Sequence, residues 1–113
     1  MLDWKQYRKE VIGRAGELAE LNEDLVKGYR ALAAASNNTS HLDAKTRELI
    51  ALAVAVTTRC DGCIAAHVEA AIKAGTTREE ISEALGVAIA LNAGAAFVYT
   101  ARTLDAYRDL SAS

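Results

Sequence analysis

The 113-residue chain has no proline, only two cysteines, two histidines, and one each of tryptophan, phenylalanine and methionine. Each shortage removes options. Without proline, no residue forces a helix to stop, and an apolar content dominated by alanine and leucine disfavours strands against helices. Two cysteines do not make the disulfide framework of a small secreted domain. A formal net charge of −2 and a pI near 5.7 leave no basic footprint for nucleic acid or an anionic membrane surface. The opening MLDWKQYRKEV is charged where a secretory signal carries its apolar core. The uncharged runs Leu49 to Val56 and Leu85 to Thr100, the second interrupted by Asn92 and two glycines, fall short of a transmembrane span. The expectation is a cytoplasmic protein with no nucleic-acid or membrane partner.

What is present reads as one all-α domain over residues 1–113, built from about six helices. Trp4, Tyr7, Val11, Ala15, Leu18 and Leu21 recur at three- and four-residue steps and mark an amphipathic first helix. Asn22, followed by Glu23 and Asp24, caps a second helix that runs to about Ala35, and the SNNTS of residues 36–40 breaks it. Asp43 caps a third, whose continuous apolar run Leu49 to Val56 belongs in a core or a subunit interface. Asp61 and Gly62 mark a turn into a fourth, which carries Ile64, Val68 and Ile72 on one face and ends at Gly75. Thr77 with Glu80, or Thr76 with Glu79, forms a capping box for a fifth. Asn92 and Gly94 signal a break before a last one through Phe97, Ala101 and Leu104. Two long apolar runs in so short a chain exceed what one subunit can cover, so a homo-oligomer is expected.

The chemistry concentrates between Glu48 and His67. Cys60 and Cys63 stand at i and i+3, a spacing that can close a small disulfide ring, and His67 lies one helical turn beyond Cys63 on the same side. A thiol reacts as its thiolate, and a helix N-terminus, a neighbouring cation and a partner sulfur all lower its pKa. The first turn of the fourth helix supplies the first of these conditions, and Arg59 is adjacent in sequence. An imidazole, with its reference pKa near 6.5, can take the thiol proton or return it to a leaving oxygen. If the third and fourth helices pack antiparallel, Glu48 reaches His67 and completes a proton relay. The same Cys60, Cys63, His67 and Glu48 could instead ligate a zinc-like metal, although no second ligand pair accompanies them. His41, in a loop, reads as solvated.

The pattern E-x11-C-x2-C-x3-H, set in DAKTRELIALAVAV, CDGCIAAH and AGTTREEI, resembles the alkylhydroperoxidase D-like branch of the carboxymuconolactone decarboxylase family over about Leu42 to Tyr107. The resemblance implies an all-helical unit assembling into trimers or hexamers. It implies that Cys60 and Cys63 cycle between dithiol and disulfide while reducing hydroperoxides, with Glu48 and His67 at the family's proton-relay positions. Decarboxylating members generally lack the cysteine pair, so lactone decarboxylation is not expected. The well-studied peroxidase has a histidine immediately before its second cysteine, where this chain has Gly62. The expected function is therefore a thiol peroxidase that needs no bound cofactor and takes a hydroperoxide as substrate and an external dithiol as reductant. A disulfide oxidoreductase acting on proteins or small molecules, and a non-enzymatic Cys/His metal-binding oligomer, are the alternatives. The sequence leaves open which cysteine attacks first.

Overall fold

The computed structural model describes residues 1–38 and 40–112, and in it side-chain caps start four of the five α-helices. Asp3 accepts from the backbone N–H of Gln6 and starts α1, Trp4–Leu21. Asn22 alone separates α1 from α2, Glu23–Ala35; it sits at the expected cap position, but its side chain makes no capping bond. A short 3₁₀ turn, Ser36–Asn38, follows. Asp43 accepts from Thr46 N–H at 2.7 Å and opens α3, Ala44–Thr58. Helix α4 covers Asp61–Lys73 and ends in a turn with Gly75 at φ +81°. The capping box is the Thr77–Glu80 version, and it starts α5, Arg78–Ser111.

The fold is all-α, as the composition requires, but with five α-helices among the described residues rather than six. The expected break at Asn92 and Gly94 is absent, and α5 runs through both for 34 residues. The reason is visible at Asn92. Its Nδ2 donates to Ala88 O, one turn back, at 2.8 Å and to Thr57 Oγ1 of α3 at 2.9 Å. An amide satisfied in this way does not compete with the helix backbone, and the glycine lowers helix propensity without ending the helix.

Helix α3 is the hub: α4 and α5 pack against it, α1 lies across α4, and α2 contacts α1. The most enclosed side chains lie on α3 and α4. Leu52 and Ala55 on α3 are each 2% exposed and Ala71 on α4 is 0% exposed. At the head of α5, Lys45 Nζ lies 3.2 and 3.1 Å from the two carboxylate oxygens of Glu80, which also accepts from Thr77 N–H at 2.9 Å. The Thr77 N–H and then the Lys45 ammonium hold the Glu80 carboxyl below the usual carboxylate range. A depressed carboxyl pKa stabilises the fold at neutral pH, and that contribution is lost as pH falls through the lowered value.

Little else is buried. The accessible surface is 9056 Å², against about 6,000 Å² for a compact 12.0 kDa monomer. The radius of gyration is 18.9 Å, where about 13 Å is usual for this length. Ile50 and Val54 of the apolar α3 run face outward, because only α4 and α5 pack against that helix. The C-terminal half of α5 exposes Phe97, Val98, Tyr99, Leu104, Tyr107 and Leu110. Once unbroken, α5 contains a window long and apolar enough to cross a bilayer by length and composition. That differs from the expectation drawn from its interrupted sequence.

The α3–α4 seam sets a packing limit that mutation can test. Ala71→Leu inserts a side chain where none fits and is expected to destabilise the protein by about 1–3 kcal/mol in chemical denaturation. An unchanged midpoint would mean the helices can separate freely there.

Candidate active site

The reversal from α3 to α4 takes two residues. Arg59, immediately after α3, adopts φ 56°, ψ 49°, and its N–H reaches Val56 O at 3.4 Å. The next N–H, of Cys60, reaches back to Ala55 O at 3.0 Å and closes the last turn of α3. Cys60 is also the N-cap of α4, its Sγ accepting from Cys63 N–H at 3.1 Å. A single cysteine thus finishes one helix and begins the next.

Cys60 and Cys63 are joined in a disulfide with their Cα atoms 5.2 Å apart, a normal separation for such a bond. The ring occupies the first turn of α4, where unsatisfied backbone N–H groups and the positive end of the helix dipole favour a thiolate once the bond is reduced. Both cysteines are half-buried.

One turn further along α4, His67 Nδ1 lies 2.7 Å from Glu48 Oε2 of α3. The antiparallel α3–α4 packing brings them together, as Leu52, Ala55 and Ala71 let the two helices approach closely. The carboxylate can only accept, so Nδ1 carries the hydrogen, and Nε2 has no partner among the described residues. Glu48 is the more sheltered partner, its side chain 19% exposed against 41% for His67. The alternative partner for Glu48, Lys45 one turn back, is taken instead by Glu80.

The four expected site residues therefore fall on one helical hairpin, as a disulfide at the start of α4 and an imidazole–carboxylate pair one turn on. His41 is exposed and takes no part. Among the described residues, no three His, Cys, Asp or Glu side chains cluster as metal ligands. A cavity of about 690 Å³ lies between α1 and α4, lined by Trp4, Arg8, Ile64, Val68 and Ile72 among others. None of the four site residues lines it, so it lies apart from the chemistry. Gly62 faces α1, where an added Cβ would meet Val11 Cγ1 at 3.8 Å. Sequence reasoning missed the left-handed turn at Arg59. Its one signal was a helix reversal at TTRC without a glycine to make it.

Comparison with known proteins gives consistent results. Residues 23–106 match the model of the carboxymuconolactone decarboxylase family. An uncharacterized protein of Haemophilus influenzae is 54% identical over 105 residues, covering 93% of each chain. Uncharacterized protein 4 in the cox locus of Paracoccus denitrificans is 37% identical over 89 residues, covering 79% of this chain and 80% of that one. Among solved structures, the apo form of a carboxymuconolactone decarboxylase family protein from Legionella pneumophila superposes with a TM-score of 0.74 at 34% identity. It covers 96% of this chain and 97% of its own.

The Glu48 contact fixes the imidazole tautomer, which nitrogen-15 NMR reads directly. Neutral His67 is expected as the Nδ1–H form, and Glu48→Ala should shift it toward the Nε2–H form. The same tautomer in both proteins would remove Glu48 as the orienting group.

Proposed function

The chain belongs to the carboxymuconolactone decarboxylase family, and from that premise we propose that it is an alkylhydroperoxidase D-like thiol peroxidase. The family includes both decarboxylases and peroxidases, and the observation that carries the choice is the Cys60–Cys63 disulfide one turn from the Glu48–His67 pair. A decarboxylase has no use for a dithiol that opens and closes. A peroxidase needs both groups.

In the reduced protein, one cysteine thiolate attacks an oxygen of the hydroperoxide ROOH. An S–O bond forms, the O–O bond breaks, and the leaving RO⁻ takes a proton to become the alcohol ROH. His67 takes up the thiol proton at Nε2 as the thiolate forms and returns it to that leaving oxygen, while Glu48 holds the ring by Nδ1–H and stabilises the imidazolium form in between. The second cysteine then attacks the sulfenic sulfur, the S–O bond breaks, and water leaves as the disulfide closes. An external dithiol restores the pair by exchange and is itself oxidised to a disulfide. The two electrons taken by the peroxide are thus returned by the donor. No bound cofactor enters the cycle.

The subunit carries this site within one chain, but its surface calls for company. We propose that several copies associate, as a trimer or hexamer, over the exposed α5 residues and over Leu18, Leu21, Leu25 and Tyr29 of the α1–α2 hairpin. Protein rather than lipid is the proposed cover for α5. Its first half is tied to α3 by Lys45–Glu80 and Thr57–Asn92, and its last turns carry Asp105, Arg108 and Asp109. Burying those groups in hydrocarbon would be costly.

Steady-state reduction of an organic hydroperoxide with a panel of dithiol donors tests the activity. Cys60→Ser and Cys63→Ser should each abolish turnover, and His67→Gln should lower it about 10²-fold or more. Equal rates in the parent and the two serine variants would overturn the reading. So would stoichiometric zinc in protein purified without chelator, and turnover confined to protein disulfides would replace the substrate. Sedimentation at micromolar concentration is expected to show an assembly of several chains without detergent; a monomer would contradict the proposed association.

A further inference from the structure

The chain uses the same turn twice and fills it differently. At the end of α4, Gly75 N–H bonds Ile72 O and Thr76 N–H bonds Ala71 O, with Gly75 in the left-handed region at φ +81°. At the end of α3, Arg59 N–H bonds Val56 O and Cys60 N–H bonds Ala55 O, with Arg59 in the left-handed region at φ +56°. This is the helix-ending motif in which glycine is the usual residue, because a Cβ crowds the backbone there. Arg59 is the only non-glycine residue with positive φ among the described residues. A residue held in a disfavoured conformation beside a reactive group points to a use for its side chain.

The local charges show what that use is. On α3 and α4, Glu48 pairs with His67, Lys45 with Glu80, Arg47 donates to Leu42 O, and Glu69 pairs with Arg8 and Lys73, while Asp61 stands in the first turn of α4. Helix α1, which packs on α4, also carries Lys5, Lys9, Glu10 beside Gln6, and Arg14 paired with Glu17. Of the cations, Arg8 faces a carboxylate, while Arg59 is exposed and its guanidinium has no partner among the described residues. It precedes the very residue whose sulfur caps α4.

We propose that Arg59 is a positioning residue for the redox pair, its guanidinium stabilising the Cys60 thiolate in the reduced protein and so favouring the dithiol form over the disulfide. The inference rests on the reading of this pair as redox-active and adds to it a direction of exchange. When an external thiolate attacks Sγ of Cys63, a new S–S bond forms there, the Cys60–Cys63 bond breaks, and Cys60 leaves as the thiolate that Arg59 stabilises. A lower leaving-group pKa makes that departure faster.

The left-handed turn makes the test clean, since glycine and asparagine both tolerate it and neither carries charge. In a Cys63→Ser background, thiolate absorbance at 240 nm follows the Cys60 titration. Arg59→Gly and Arg59→Asn should raise its pKa by about half a pH unit or more, with the difference shrinking in high salt, while Arg59→Lys stays near the parent. In the two-cysteine protein, Arg59→Gly should shift the equilibrium with dithiothreitol several-fold toward the protein disulfide, and its Tm should not fall. The same Cys60 titration in the parent, Arg59→Gly and Arg59→Asn would overturn the inference. Peroxide enters none of these readouts, so a parent inert toward hydroperoxides would sink the proposed activity and leave this assignment standing.

Discussion

The close approach of α3 to α4 is the constraint on which the site depends. Ala55 and Ala71 are almost wholly enclosed with Leu52, and small side chains let two helix backbones come near enough for a short glutamate side chain to reach an imidazole across the seam. The 2.7 Å bond from His67 to Glu48 follows from that packing. It fixes the ring, leaves Nε2 available, and does so one turn from a disulfide whose position is set by the same hairpin. Residues on α3 and α4 thus form one unit, with helix-end geometry placing the sulfurs and interhelical packing placing the imidazole.

The rest of the molecule serves that hairpin from outside. Helix α5 braces α3 at two points, the Lys45–Glu80 ion pair and the Thr57–Asn92 hydrogen bond, and α1 lies across α4 with Val11 beside Gly62. Neither arrangement closes a core. An accessible surface of 9056 Å² and a radius of gyration of 18.9 Å describe a chain whose apolar faces exceed what its own helices cover. Burial of such faces is the main favourable term in folding, so stability and association are expected to be linked in this protein.

Local signals in the sequence marked most of the helix ends, because Asp43, Gly75 and the Thr77–Glu80 box act through bonds to residues three or four positions away. The cysteine spacing and the register of His67 with Cys63 were legible for the same reason. Three features were not. At the expected break in α5, Asn92 is held by Thr57, 35 residues away, as well as by Ala88 one turn back. The partner of Lys45 is Glu80 on another helix rather than Glu48 on its own. The left-handed turn falls on an arginine, a residue whose own preference points elsewhere. Each is decided by tertiary structure or by a conformation the residue does not favour, and neither periodicity nor propensity carries that information. Glu48 stands between the two groups: its spacing made the contact with His67 possible, and packing made it real.

The central claim is that the pair and the relay form one peroxide-reducing unit, and a single turnover tests it most directly. Fully reduced protein is mixed rapidly with one equivalent of an organic hydroperoxide, with no external thiol present. Loss of both thiols per chain, release of one equivalent of the alcohol, and formation of the Cys60–Cys63 disulfide are the predicted result. Peroxide left intact, or consumed while both thiols persist, would contradict it.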